Sequence, residues 1–571
     1  MSASLIFCIC LAYFVVAYFT YGRFLGRFFA LSPDKPTPAH SMIDGIDYVP
    51  TRAPVLFGHH FASIAGPGPI VGPIMAAYFG WLPALIWILV GCVFIGAFHD
   101  FASLVISVRN KGRSVSFVME KLMGLSGRQL FLSFCILCLI LVVAIFTLLI
   151  AGLFAKFPEV ATASVFFIML SPLFAVCTNV LNMRLRTASI IFIPLLCLAI
   201  YLGEKFPLDV GAMFNLDETS LKNFWICFLA IYIFIASVTP VQWLLQPRDY
   251  MNSFLLYAVL LLGIAAIVAY SPEVKMTSFE GLSAVTGDGK ITYMVPALFI
   301  FIACGACSGF HALVASGTTS KQLNRETDAL PIGYGAMLIE GVLGCMALVA
   351  VMSMDKEVFM DLGKNPPAAF ATGISSFCSA LGLDVQLAKI FISLAISAFM
   401  LTSLDTATRL GRFICQELCL PKTKNDQVYK EDAHNEMLKL QLVRRFIGNK
   451  YVASFILVAV SMYMAVSGEA ASLWPIFGAS NQLMSALTLL VISLWLLVKG
   501  VNYLLAFIPM CFMMVMSLWG VKQVIVQQWS SNSMLVGLGI ILIAMSIIMV
   551  CLGLSMIIQQ YKLHAQQAQN G

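Results

Sequence analysis

Charge is scarce in this chain. Only 11% of its 571 residues are Asp, Glu, Lys or Arg, while 60% are hydrophobic, and the mean hydropathy is +0.91. A soluble globule carries roughly 25% charged residues, so that class is excluded. Known catalytic and energising motifs are also missing. No G-x-x-x-x-G-K-[ST] occurs, which argues against an ATP-driven pump, and no H-E-x-x-H or G-x-S-x-G supports an intramembrane hydrolase. There are 16 cysteines, but none has zinc-site spacing. The two C-x-x-C pairs, Cys135/Cys138 and Cys304/Cys307, lack a histidine or further cysteine placed to complete a site. They read as small hydrophobes in helices, and no metal, cofactor or catalytic residue is expected. The net charge of +6 is modest, and no nucleic-acid partner is expected. The N-terminal run MSASLIFCICLAYFVVAYFTYGR has no basic residue before it and no small-residue cleavage site, so it reads as a retained span rather than a signal peptide.

What the chain has instead is apolar length. Segments able to cross a ~30 Å hydrocarbon core recur throughout. They fall at about 3–22, 57–80, 82–107, 129–152, 161–181, 187–203, 224–246, 254–271, 294–316, 331–353, 386–409, 451–468, 478–498, 502–520 and 534–558. The expectation is an all-α polytopic membrane protein with about 15 transmembrane helices. Odd parity puts the termini on opposite sides. The side holding Arg23, Arg27, Arg52, the loops with Arg109, Lys111, Arg113, Arg184, Arg186, Arg248, Lys321 and Arg325, the 410–450 segment, Lys499 and Lys562 carries 25 of the 34 Lys and Arg. Acids barely discriminate between the sides. The positive-inside rule then makes that side cytoplasmic, with the N-terminus outside and the C-terminus inside. The one long polar insertion, 410–450, reads as a cytoplasmic loop with a short helix, either a solvated connector or a regulatory element.

Two segments resemble each other. Residues 58–66 read GHHFASIAG and residues 309–317 read GFHALVASG, and a weaker echo follows each, LVGC at 89–92 and VLGC at 342–345. They lie seven spans apart, so the copies cross in opposite directions, as in transporters built from inverted repeats. The expected organisation is a peripheral helix at 1–25, a cytoplasmic loop at 26–56, a first seven-helix half at 57–271, an inverted second half at 294–558, and a cytoplasmic tail at 559–571.

A helix breaker at membrane depth needs a reason, because lipid cannot satisfy a freed backbone group. Ala65, Gly66, Pro67, Gly68 and Pro69 make one such interruption; its prolines lack N–H groups. Ser316, Gly317, Thr318 and Thr319 are expected to make the second, nearer the cytoplasmic end of its span. Freed N–H groups there would hold an anionic group and freed carbonyls a cation, so these nine residues are the candidate substrate site. Intramembrane ionisable residues are few and costly, at about 3 kcal/mol each on insertion scales, and each is a functional candidate. His60 and His311 recur in both copies and read as proton-coupling groups or packed histidines. Asp100, beside His99, reads as a proton site or an interfacial pair. Glu340 in LIEGVLG reads as a proton carrier or a structural hydrogen-bonding group. Asp405 reads as an ion-coupling carboxylate or as the partner of Arg409 one turn on. Thr402 and Ser403 could complete a cation site with unwound carbonyls or bond back to their own helix.

The runs FGHHFASIAGPGPIVGP (57–73), QPRDY (246–250), FIACGACSGFHALVASGTTSKQLNRETDA (301–329), IGYGAML (332–338), RLGRF (409–413) and SLWPIFGASNQL (472–483) closely resemble the carbon starvation protein A family, over most of residues 1–520. The resemblance implies an inner-membrane transporter of the amino acid–polyamine–organocation superfamily with a LeuT-like core. It implies two broken core helices, around Gly66–Pro69 and Ser316–Thr319, and links to peptide uptake during carbon starvation or to pyruvate–proton symport. The combined expectation is a secondary active importer of the cytoplasmic membrane. Its partners would be a peptide or pyruvate, a coupling proton or sodium ion, and the lipid bilayer. A passive channel or a nutrient-sensing receptor are the rivals.

Overall fold

The computed structural model describes residues 2–43, 48–240, 243–286, 289, 291–419, 446–467, 470–530 and 532–570. The chain folds into long apolar helices: α1 (Ala3–Phe28), α2 (Ala53–Ile64), α3 (Gly68–Phe79), α4 (Trp81–Arg109), α5 (Val115–Lys156), α6 (Pro158–Val180), α7 (Leu185–Lys205), α8 (Glu218–Val238), α9 (Leu245–Tyr270), α10 (Met294–Phe301), α11 (residues 309–322), α12 (Glu326–Met352), α13 (Pro366–Phe377), α14 (Val385–Cys419), α15 (Lys450–Ser467), α16 (Ala470–Val498), α17 (Leu504–Gln528) and α18 (Ser533–Asn570). Thirteen helices among the described residues are long and apolar enough to cross a membrane. Two expected spans are not among them, 57–80 and 294–316, and these are the two that the fold interrupts. The protein is an all-α polytopic membrane protein.

Burial separates two kinds of helix. α5, α12, α14 and α16 are buried along most of their apolar length, whereas α1, α7, α8, α9, α15, α17 and α18 bury well under half of theirs. The exposed faces carry large apolar side chains such as Ile9, Phe19, Ile190, Leu261, Ile508 and Ile541, as a lipid-facing surface requires. The inner helices form two groups. α5, α8, α14 and α15 pack on one another as a four-helix frame, while α2, α3, α4, α10, α11 and α12 form a second bundle. α9 and α16 join them: α9 packs on α2 and α14, and α16 on α11 and α5.

Several expected boundaries shift. The helix expected to end at 409 runs on to Cys419, so the first ten residues of the 410–450 loop are helical; residues 420–445 of that loop lie outside the described residues. The loop between the tenth and eleventh spans holds the buried α13, which starts on Pro366 and Pro367 with the Asn365 side chain accepting from the Ala368 N–H. Proline suits a first helical turn, whose N–H groups have no intrahelical partner. Two short strands, β1 (Ser283–Val285) and β2 (Ile291–Tyr293), form an antiparallel hairpin in the segment before α10.

Candidate transport site

The first interruption lies where the prolines put it. α2 ends at Ile64, Ala65 leaves helical geometry (φ −73, ψ 66), and α3 restarts at Gly68 with a proline in its first turn. Ala65, Gly66, Pro67, Gly68 and Pro69 are all buried. The second interruption does not lie at Ser316–Thr319. It lies at Ile302, which leaves helical geometry (φ −91, ψ 42), and again at Cys307 and Ser308, which are extended. Residues 315–319 form a wide helical turn inside α11. There the Ser316 hydroxyl donates to the Ala312 carbonyl (2.7 Å) and the Thr318 hydroxyl to the Val314 carbonyl (3.0 Å). These residues satisfy the helix locally, so nothing in them breaks it. The twin motifs are therefore out of register with the interruptions: GHHFASIAG leads into the first, whereas GFHALVASG follows the second.

The second break contains no proline, and tertiary contacts hold it. The Asn481 side chain of α16 accepts from the Phe310 N–H (3.0 Å) and donates to the Ser308 hydroxyl (3.0 Å), thereby capping α11. Gln482 donates to the Phe299 carbonyl. Glycines let the interrupted segments touch. A Cβ on Gly68 would stand 2.1 Å from the Cys304 Cβ, and one on Gly72 would stand 2.4 Å from the Phe301 carbonyl oxygen. The two breaks thus meet backbone to backbone, as a shared ligand site requires.

Two polar clusters flank this junction. In the first, His311 Nδ1 lies 2.8 Å from Asp100 Oδ2 and its Nε2 lies 3.4 Å from Glu340 Oε2. The other Asp100 oxygen takes the His99 Nδ1 (2.8 Å). His60 Nδ1 bonds the Thr319 hydroxyl (2.8 Å). His60, His99, Asp100, His311, Thr319 and Glu340 are all buried. The sequence singled out five of these groups separately, and α2, α4, α11 and α12 bring them together. Glu340 has neither oxygen hydrogen-bonded, and no Lys or Arg pairs with Asp100, His311 or Glu340 among the described residues.

The second cluster departs from expectation. Asp405 does not pair with Arg409. It accepts from Arg248 and from the Tyr232 hydroxyl (2.8 Å), while Arg409 donates to the Ala236 and Thr239 carbonyls (both 2.7 Å). Arg248, assigned by charge to a loop, is fully buried within α9. Its neighbour Asp249 lies 3.6 Å from His59 Nδ1. Thr402 and Ser403 do not bond back to their own helix. Asn252 donates to the Thr402 hydroxyl (2.9 Å), and the Ser403 hydroxyl donates to the Ser63 carbonyl in the last turn before the break (3.4 Å). Single-residue reasoning missed Arg248, Asp249, Tyr232, Asn252, Asn481 and Gln482. The QPRDY and SLWPIFGASNQL runs contain four of them and carried the only signal.

The family model for Carbon starvation protein CstA matches residues 2–369 and 362–520. The chain belongs to that family. A relative named Peptide transporter CstA, from Bacillus subtilis strain 168, is 31% identical over 96% of this chain and 95% of its own length. Another, Pyruvate/proton symporter BtsT of Escherichia coli K12, is 32% identical over 89% of this chain and 79% of its own. Among solved structures, an Eremococcus coleocola manganese transporter matches 89% of this chain and 95% of its own at 12% identity and a TM-score of 0.44.

Proposed function

We propose that the chain is a secondary active importer of the cytoplasmic membrane that carries a small carboxylate-bearing solute together with a proton. Peptides are the preferred substrate and pyruvate the second reading, each favoured by a named relative. The solute binds at the junction of the two interruptions, around Gly66–Pro69 and Ile302–Ser308. Residues 57–271 and 294–558 act as inverted halves, and the bundle containing α2, α3, α10 and α11 rocks against the α5–α8–α14–α15 frame. The N-terminus lies outside and the C-terminus in the cytoplasm.

One observation carries the proton assignment: Asp100, His311 and Glu340 are in contact, buried, and without a Lys or Arg partner among the described residues. An uncompensated buried charge costs several kcal/mol, about 3 at the centre of a membrane helix. Two ionised carboxylates and one imidazolium leave one negative charge. A second proton, on Glu340, neutralises the cluster, so loading and unloading it is coupled to the state of the bundle. The rival cation site, at Thr402 and Ser403, has its nearby carboxylate Asp405 already paired with Arg248, and a sodium ion there meets a fixed like charge.

Uptake of labelled pyruvate and of a labelled dipeptide into proteoliposomes, each under an imposed proton or sodium gradient, tests the reading. A proton gradient is expected to drive accumulation of one solute above its own gradient. If neither solute moves under either gradient, the transporter assignment fails.

A further inference from the structure

α2 carries two consecutive histidines, and they serve different clusters. Adjacent residues on a helix diverge by about 100°, so one helix points a ring into each of two polar sites. His60 reaches Thr319, on the side of α11 that also bears His311, while His59 faces Asp249 on α9. The members of the Asp100 cluster are sealed: the side chains of Asp100, His99, His311 and Glu340 are 0–1% exposed. The His59 side chain is 25% exposed. His59 Nε2, His60 Nε2 and Asp249 Oδ1 are all buried with no hydrogen-bond partner among the described residues. Three titratable groups in sequence thus have an open position for a water or a proton. They lead from the sealed cluster towards the end of α2 and α9 that lies beside the basic loops.

We propose that His59 and Asp249 are the proton exit of the transporter, with His60 linking them to the Asp100 cluster. The proposal rests on the proton-coupled reading above. A proton leaving the cluster is held on His60 as an imidazolium, which passes it through an intervening water to His59. His59 then gives it to the Asp249 carboxylate, and each ring returns to its neutral form as the next group is protonated. Asp249 releases the proton on the cytoplasmic side and is an ion again. The groups facing this route are Asp100, His311 and Thr319 at His60, and Arg248, Arg409, Asp405 and the Thr402 hydroxyl around Asp249. Arg248 keeps a fixed positive charge beside Asp249 (3.6 Å) and so favours return of the proton-free carboxylate.

The test separates proton release from solute movement. In proteoliposomes, net uptake driven by a proton gradient requires release of the proton inside, whereas counterflow exchange of labelled for unlabelled solute can run without it. His59→Gln and Asp249→Asn are expected to lose at least tenfold in net proton-driven accumulation and to keep counterflow within about twofold of the parent. Retained counterflow also shows that each variant is folded. Equal loss of both activities makes these residues structural and overturns the proposal, as does full net accumulation in either variant. If the parent itself shows counterflow but no response to a proton gradient, the underlying coupling assignment fails instead.

Discussion

The Asp100 cluster lies in the bundle of α2, α4, α11 and α12, and the Arg248 cluster lies where α9 meets α8 and α14 of the frame; the two are comparably buried, and each contains two carboxylates. They differ in the cation. Around Asp100 and Glu340 the available positive charge is imidazole, which can lose its proton. Around Asp405 and Asp249 it includes a guanidinium, which cannot. A buried cluster of titratable groups can change its total charge by binding a proton; the Arg248–Asp405 ion pair holds its charge in every state. The first suits a coupling site. The second suits a joint that stays closed, here between α8, α9 and α14.

The largest effect should come from breaking that joint. Arg248→Met strands Asp405 and Asp249 without their cation, and removing one partner of a buried ion pair costs about 3–5 kcal/mol. Folded protein recovered from membranes should fall sharply, as read by size-exclusion profile and melting temperature in detergent. Arg248→Met combined with Asp405→Asn removes both charges of that ion pair, leaves Asp249 facing His59, and should recover most of the stability lost with the pair. A single variant as stable as the parent would remove the distinction between the clusters.

Glu340→Gln tests the other side. Its carboxylate oxygens make no hydrogen bond, so an isosteric amide leaves packing intact while abolishing the second proton. Net proton-driven uptake should fall at least tenfold, about 1.4 kcal/mol in the barrier, while the melting temperature stays near that of the parent. A loss of stability on the scale of Arg248→Met would show that Glu340 is part of a structural joint too.

This contrast also marks what the sequence could reveal. Apolar length makes the thirteen long helices legible, because lipid dictates it locally. The first break is legible because Pro67 and Pro69 cannot continue a helix whatever surrounds them. The second is not: Cys307 and Ser308 are unremarkable helix residues, and the Asn481 side chain from α16, more than 170 residues away, holds them extended. The same reason hides the Arg248 joint. A lone arginine at the start of an apolar run looks like a loop charge, and Arg409 stands at the ideal spacing to claim Asp405. Only the packing of α9 on α14 brings Arg248 closer. The glycine–histidine motifs mislead in register because they match residues around the breaks, whereas the breaks themselves are set by different forces in the two segments.

The smallest effect sharpens the comparison within the arginine cluster. Tyr232 donates its hydroxyl to the Asp405 oxygen that Arg248 also contacts. Tyr232→Phe removes that one donor and leaves the ion pair, so the expected cost is that of a single hydrogen bond, about 1.5–3 kcal/mol for one made to a charged group. The melting temperature should drop by only a few degrees, and proton-driven uptake should keep its dependence on the gradient. A change in coupling with unchanged stability would mean that the Arg248–Asp405 pair also moves protons, with the Tyr232 hydroxyl as a carrier. Arginine would then be tuning a second titratable site rather than closing a joint.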